Sequence, residues 1–452
     1  MTPPIAILYV GAYLERRGYN VSYFDERWDS DFREELLGAD VVGVSAMSGF
    51  QLQRAVHYLK EAKEAGKITI IGGPHCTVSP QTCLNKDFID YVVVGEGEVT
   101  LLELLENLDN PANVPGVLTN NNRLRRRAGL LAEEIESPIT DNTLRYFMLA
   151  SQTNDVMLPS SRGCPFSCGF CINSKATIDG KRWRPIPLDR WSRDLDRLLE
   201  SGIRIEYMQI GDDWLGTDQR MLEVGRIMKK RGIRWLVSLR ATQVKENLIK
   251  ELINLNCSSM AIGIESGSEE VLTLMDKKIT ISDATNCAEI LARNGIKAIY
   301  FFLLGVPTET WAQKKQTMEL ADRINNIHRG CCAINLFAYN PYEGTTLYDL
   351  AKKENIPTPT TLEEWFTTSR SHNYDPLLTA VYYIAGITFH RARGSTTDRN
   401  FPGIRRGLIL PFELLCVLRW KIKFFYCFWL ERKGIELLLK YCRAQPAPRQ
   451  AP

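Results

Sequence analysis

The stretch Cys164-Pro-Phe-Ser-Cys168-Gly-Phe-Cys171 places three thiols at C-x3-C-x2-C spacing, with small or apolar residues between them. Three thiolates on one short loop can each hold one iron of a cubane 4Fe-4S cluster, which leaves the fourth iron without a nearby protein ligand. Such an iron can bind a small molecule, which a cluster closed by four cysteines cannot. Two other uses of close thiols fit less well. A structural zinc site takes four Cys or His ligands, yet no His lies between His75 and His328, and the next Cys after Cys171 is Cys257. A disulfide needs an oxidising compartment, and the opening Met1-Thr-Pro-Pro-Ile-Ala-Ile-Leu8 has neither the basic region nor the cleavage site of a secretory signal. The remaining cysteines are scattered, mostly in apolar runs (Cys287, Cys416, Cys427), as in a reduced cytoplasmic protein.

Outward from this loop, the segment from about 150 to 345 alternates strand and helix signals in a βα rhythm. Strands are expected at Asp155–Pro159, Glu206–Ile210, Arg234–Leu239, Ser259–Gly263, Ala298–Leu304 and Ala333–Phe337. Amphipathic helices at Asp218–Arg231, Lys245–Leu255 and Ser282–Asn294 separate several of them. In βα barrels the chemistry sits at the carboxyl ends of the strands. Polar residues cluster there: Asp212 and Asp213 after the second strand, Arg240 after the third, Glu265-Ser266-Gly267 after the fourth, Gly305 and Glu309 after the fifth. Any one of them alone is as well explained by a helix cap or a surface ion pair. Their joint placement argues for a ligand.

With these flanks the segment resembles the radical S-adenosylmethionine superfamily, whose members carry C-x3-C-x2-C just after the first strand of a six-unit partial barrel. The resemblance implies that S-adenosylmethionine chelates the open iron through its amino and carboxylate groups, and that one electron then splits the sulfonium to a 5′-deoxyadenosyl radical. It implies that Phe170 lies against the adenine and that Asp212 and Asp213, in place of a Gly-Gly-Glu motif, hold the amino group. It further implies that Glu265, Ser266 and Gly267 serve the ribose and the methionine carboxylate, with Arg240 pairing the latter.

The first 100 residues read as an open α/β sheet, with strands at Val21–Asp25, Ala39–Ser45, Ile68–His75 and Tyr91–Glu98 and helices at Leu52–Ala65 and Glu98–Leu108. Ligands of such sheets lie at the carboxyl ends of the strands. The ordered set Ser45-Ala-Met-Ser48-Gly, Gly72-Gly73-Pro-His75 and Gly95-Glu96-Gly97-Glu98 resembles the cobalamin-binding domain fused to some of these radical enzymes. The resemblance implies that Gly72, Gly73, Gly95 and Gly97 let the backbone approach the nucleotide tail, while Ser45 and Ser48 line the cleft with Glu96. No Asp-x-His-x-x-Gly occurs; His75 is the nearby candidate for a cobalt ligand, or equally a turn cap. The family also begins with an apolar central strand before the helix that corresponds to Ile5–Arg17, so the sheet is expected to lack its first strand.

Composition sets the remaining bounds. The 452 residues are 44% hydrophobic and 24% charged, with net charge +3, so the chain holds two or three domains and no polyanionic partner is indicated. No uncharged apolar run reaches the ~20 residues of a membrane span. Arg123-Leu-Arg-Arg-Arg127 reads as a solvated face without the aromatic platform of a nucleic-acid site. The expected architecture is α/β: a Rossmann-like cobalamin-binding domain and linker over 1–135, a partial (β/α)6 radical core over 150–345, and a helical region over 346–452. In that last region, 407–441 mixes aromatics with Arg and Lys, which suits a substrate cap or an interfacial helix touching a membrane. The expected activity is cobalamin-dependent methylation of an unactivated carbon in a small-molecule or lipid-like substrate. An external one-electron donor of the flavodoxin or ferredoxin type supplies the electron. Radical cyclisation or rearrangement with the same cofactors is the alternative, followed by a non-catalytic iron–sulfur binding or electron-transfer protein.

Overall fold

The structure, a computed structural model, describes residues 1–173, 183–366, 381, 384 and 414–423. Its centre is a six-stranded all-parallel sheet whose strands neighbour one another in chain order: β5 (Val156–Met157), β8 (Tyr207–Gln209), β9 (Arg234–Arg240), β10 (Cys257–Glu265), β11 (Lys297–Leu304) and β12 (Cys332–Ala338). A smaller sheet precedes it, made of β1 (Val41–Ser45), β2 (Ile68–Gly72), β3 (Tyr91–Val93) and the antiparallel β4 (Val117–Leu118). A two-stranded ribbon, β6 (Ser161–Arg162) with β7 (Arg184–Pro185), completes the strands.

The long strands alternate between the two faces of the sheet. β11 buries every second residue, with Ala298, Tyr300, Phe302 and Leu304 facing one way. Helices cover that face and are started by side-chain caps. Thr217, Thr280 and Thr310 accept from the first-turn backbone of the helices Asp218–Lys230, Ile281–Arg293 and Trp311–Ile327, each cap contributing about 1 kcal/mol. β5 is only two residues long. Pro159 has no N–H to give the ladder, and the chain turns there toward the cysteine loop. Trp191, fully buried, fixes that turn by donating its indole N–H to the Leu158 carbonyl at 3.2 Å.

The expected strand at Val21–Asp25 does not form. Among the described residues β1 lies at the edge of its sheet, bonded to β2, and this segment does not add to its outer side. Val21–Asp25 instead packs by side chains: the Tyr23 ring fills the space that a Cβ on Gly11 would need in the helix Ile5–Glu15. The basic stretch Arg123–Arg127 is half-tethered rather than free. Arg126 donates to the Thr77 carbonyl at 3.4 Å, and Arg127 pairs with Glu103 and Thr100.

After the helix Thr346–Lys353 the chain returns to the small sheet. Leu362 and Trp365 enter its core beside Ala46, Leu52, Ile71 and Val92. Among the described residues no helix is long and apolar enough to cross a membrane. Apart from 414–423, the segment 407–441 lies outside the described residues.

Candidate active site

The cysteine loop leaves β5 through Ser160 and Ser161, and Asp212 fixes this exit. Its carboxylate accepts from both backbone N–H groups, at 2.6 and 3.0 Å, and from both hydroxyls at 2.7 Å. Asp212 is buried, and its oxygens already have four donors. Burial is the larger influence on it and outweighs those donors, raising its pKa to about 6. Asp213, next along, is exposed and takes the Asn173 amide at 2.8 Å. Its charge is felt by both Cys164 and Cys171.

Beyond the exit, Gly169 is pinned from two sides. Its N–H donates to the Met275 carbonyl at 2.8 Å and its carbonyl accepts from Leu347 N–H at 3.0 Å. A Cβ there would run into Thr346, so glycine is required at this crossing. Cys168 is buried while Cys164 and Cys171 are half-exposed. Burial pushes the Cys171 thiol up to about 12 and the Cys164 thiol upward. Phe170 packs among Val271, Met275, Val306 and Leu347, and its ring centroid lies 5.8 Å from the Lys277 ammonium.

Arg240, expected to meet a carboxylate, is committed elsewhere. It donates to Cys168 Sγ at 3.6 Å and to the Lys277 carbonyl, and it lies over the Phe166 ring at 4.0 Å. The Glu-Ser-Gly turn is likewise internal. Glu265 has φ +71° at a bulge in β10 and accepts from Lys277 Nζ at 2.6 Å. Ser266 is fully buried and shares a 3.0 Å hydrogen bond with Thr317, whose hydroxyl also takes the Gly267 N–H at 2.9 Å. The close approach allowed by Gly267 is to the Gln316 backbone, where a Cβ would collide. The turn therefore joins β10 to the helix Trp311–Ile327. Two contributors carried no sequence signal: Lys277, buried beneath the loop, and the aromatic set Phe166, Trp183 and Trp214. Only their placement in space marks them. Glu309 is buried, with one oxygen accepting from Gly305 N–H at 2.5 Å and the other without a hydrogen-bond partner among the described residues. Burial raises it to about 7.

In the small sheet, Ser45, Gly72 and Gly95 stand at or just past the carboxyl ends of β1, β2 and β3. Ser45 is exposed, and the Cβ direction of Gly95 opens onto free space. Gly73 has φ +93°, and a Cβ on it would come within 2.6 Å of Ser45 Oγ, so it serves the turn. Gly97 backs onto Val10. His75 is fully buried with both ring nitrogens engaged, Nδ1 with Ser48 at 2.9 Å and Nε2 with Thr82 at 3.0 Å. Both contacts hold the turn, the second of the two roles open to it in sequence. Glu96 is held by Arg184 at 2.7 and 2.9 Å and by the Leu130 N–H.

Among the described residues no group of three or more His, Cys, Asp or Glu converges on a single ion position. A cubane asks for something else, one thiolate for each of three irons, and the three cysteines of one pinned loop supply that donor set. An arginine N–H on Cys168 Sγ is the kind of contact that tunes such clusters. The open strand ends at Ser45 and Gly95 fit a ligand laid along the sheet edge.

Comparison with known proteins agrees. The Radical SAM superfamily model matches residues 158–321 and the B12 binding domain model matches residues 1–105. An uncharacterized methyltransferase of Pyrococcus horikoshii is 28% identical over 377 residues, 78% of this chain and 79% of the relative. The anaerobic magnesium-protoporphyrin IX monomethyl ester cyclase of Rubrivivax gelatinosus is 25% identical over 71% of this chain and 62% of the cyclase. The chain thus spans less than two thirds of the cyclase. The cobalamin-dependent S-adenosylmethionine radical enzyme OxsB, solved with aqua-cobalamin and S-adenosylmethionine bound, shares the fold with a TM-score of 0.63 at 16% identity, over 86% of this chain and 66% of OxsB. The chain is a radical S-adenosylmethionine enzyme with an amino-terminal B12-binding domain, and its cofactors are a 4Fe-4S cluster, S-adenosylmethionine and cobalamin.

Proposed function

We propose that the enzyme methylates an unactivated carbon of a small-molecule or lipid-like substrate in the cytoplasm, fed by a one-electron donor of the flavodoxin or ferredoxin type. The observation that carries this reading is the meeting of the two cofactor-bearing loops. Arg162, two residues before Cys164, donates to Glu98, one residue after Gly97, at 2.6 Å. This contact sets the two loops side by side, so that a substrate bordering both would be within reach of both cofactors. When bound, the cluster with S-adenosylmethionine supplies radical initiation, and cobalamin supplies a transferable methyl group.

The chain's own residues bind and orient. Cys164, Cys168 and Cys171 hold the irons. Asp213 offers an exposed carboxylate beside them for the cationic amino group, and Phe170 offers an apolar wall. Glu309, its carboxyl raised by burial to about 7, is a buried group in the turn after β11 that can hold or release a proton. The names of the relatives support methyl transfer, and the cyclase among them keeps ring closure as the competing outcome.

The test is anaerobic reconstitution with iron, sulfide and hydroxocobalamin, then turnover of candidate extracts with trideuteromethyl-labelled S-adenosylmethionine. Methylation is expected to accumulate both S-adenosylhomocysteine and 5′-deoxyadenosine and to carry the whole labelled methyl into product. An unlabelled product formed while deoxyadenosine accumulates would overturn the methyl-transfer reading in favour of cyclisation or rearrangement.

A further inference from the structure

The loop that carries the cysteines is closed at its base by the ribbon of β6 and β7, in which Arg162 and Arg184 stand directly opposite each other. Their side chains are only 17% and 10% exposed. Like charges facing across a ladder repel, and a buried guanidinium without a counter-charge is strongly destabilising. Two carboxylates of the other domain supply counter-charge. Arg184 makes a two-pronged contact with Glu96, Nη1 to Oε2 at 2.9 Å and Nη2 to Oε1 at 2.7 Å. Arg162 donates Nη2 to Glu98 Oε1 at 2.6 Å, lies 3.5 Å from Glu96, and rests its face on the Tyr9 ring at 4.5 Å.

Both carboxylates flank Gly97 at the start of the helix Gly97–Glu106 that follows β3, within the B12-binding domain. Burial alone would raise Glu96, but Arg184 and Arg162 prevail and hold it at about 2, so it stays ionised throughout the working pH range. Glu98 is 6% exposed. Four charged groups in one interface are a specific arrangement, since each carboxylate is costly to bury without its arginine.

We propose that Glu96 and Glu98 are positioning residues. They form a counter-charge clamp by which the B12-binding domain closes the base of the cysteine loop, so the cluster site is complete only when the two domains are docked. Neither touches a reacting atom; they act through Arg162 and Arg184. The proposal is independent of whether the product is methylated or cyclised, because its readouts are loop protection and iron content.

The experiment compares wild type, Glu96→Gln/Glu98→Gln, and that pair combined with Arg162→Gln/Arg184→Gln, by amide hydrogen exchange and by iron bound after anaerobic reconstitution. In the double variant the two arginines are left facing each other. Exchange over 158–173 and 183–187 should accelerate on the order of 100-fold, and iron loading should fall, while β11 and β12 stay protected as in wild type. In the quadruple variant the repulsion is gone with its counter-charge, and loop protection and iron loading should largely return. Wild-type loop protection and iron loading in the double variant would overturn the proposal, as would a quadruple variant no better than the double. If the double variant unfolds throughout while the quadruple folds and loads iron, the clamp stands; if both unfold, it falls.

Discussion

Asp212 accepts from Ser160 and Ser161 with all four of its hydrogen bonds turned inward, whereas Asp213 faces outward beside Asn173. Substituting each separates anchoring from ligand binding. Asp212→Asn replaces one acceptor oxygen by a donor among donors and should cost about 2–4 kcal/mol in urea unfolding. Asp213→Asn should stay within about 0.5 kcal/mol of wild type but slow S-adenosylmethionine cleavage roughly tenfold or more, through loss of a charge-assisted contact. The pH dependence has a fixed sign. Burial first, and over the opposing hydrogen bonds, sets the folded Asp212 pKa near 6, above that of the unfolded chain. This group therefore gains stability as pH falls from 7 toward 4, so the cost of Asp212→Asn should grow by about 1 kcal/mol between pH 7 and pH 5. Equal stability of the two variants would refute the assignment. Two adjacent aspartates give no local clue to which one turns inward; that depends on Ser160 and Ser161, some 50 positions away.

At the scale of elements, β10 is tied to the helix Trp311–Ile327 through a glycine that touches backbone. Gly267→Ala should push the helix off the sheet at about 1–3 kcal/mol, read as a lowered unfolding midpoint, with cluster loading reduced because Glu265 and Lys277 shift beneath the loop. An unchanged midpoint would show that the helix yields freely. This scale was also the most legible from sequence. All six parallel strands and the helices Asp218–Lys230, Glu246–Asn254 and Ile281–Arg293 formed close to where alternation and helical periodicity put them. What was not legible shares one physical cause, dependence on a distant partner. Val21–Asp25 has strand composition but is held on the helix Ile5–Glu15 by Tyr23 packing at Gly11, not on the edge of β1. Ser266 and Arg240 have ligand-binding chemistry but are taken by Thr317 and by Cys168 with Lys277. Lys277 lies outside any periodic pattern and is recruited only because Glu265 is bulged toward it.

For the whole molecule, Trp365 matters most. Its ring stacks on Tyr342 at 6.0 Å, lies edge-on to His75 at 5.6 Å, and its carbonyl takes the Gly49 N–H at 2.8 Å. It is 1% exposed within the core of a sheet that begins more than 300 residues earlier. Trp365→Ala should cost about 3–5 kcal/mol locally. It should loosen the B12-binding domain first, seen as weaker retention of hydroxocobalamin after desalting, while cluster absorbance near the cysteine loop survives. Full retention would mean that the domain closes without the returning segment.

That returning segment also sets a timetable. At roughly 5–20 residues per second, synthesis of the stretch between β4 and Trp365 takes on the order of 10–50 seconds. For all of that time the newborn amino-terminal sheet has its ladder but not the tryptophan that fills its core. The apolar lining around Leu52, Ile71 and Val92 is left partly open until Trp365 has been made, so this interval is when the growing chain has most need of a chaperone.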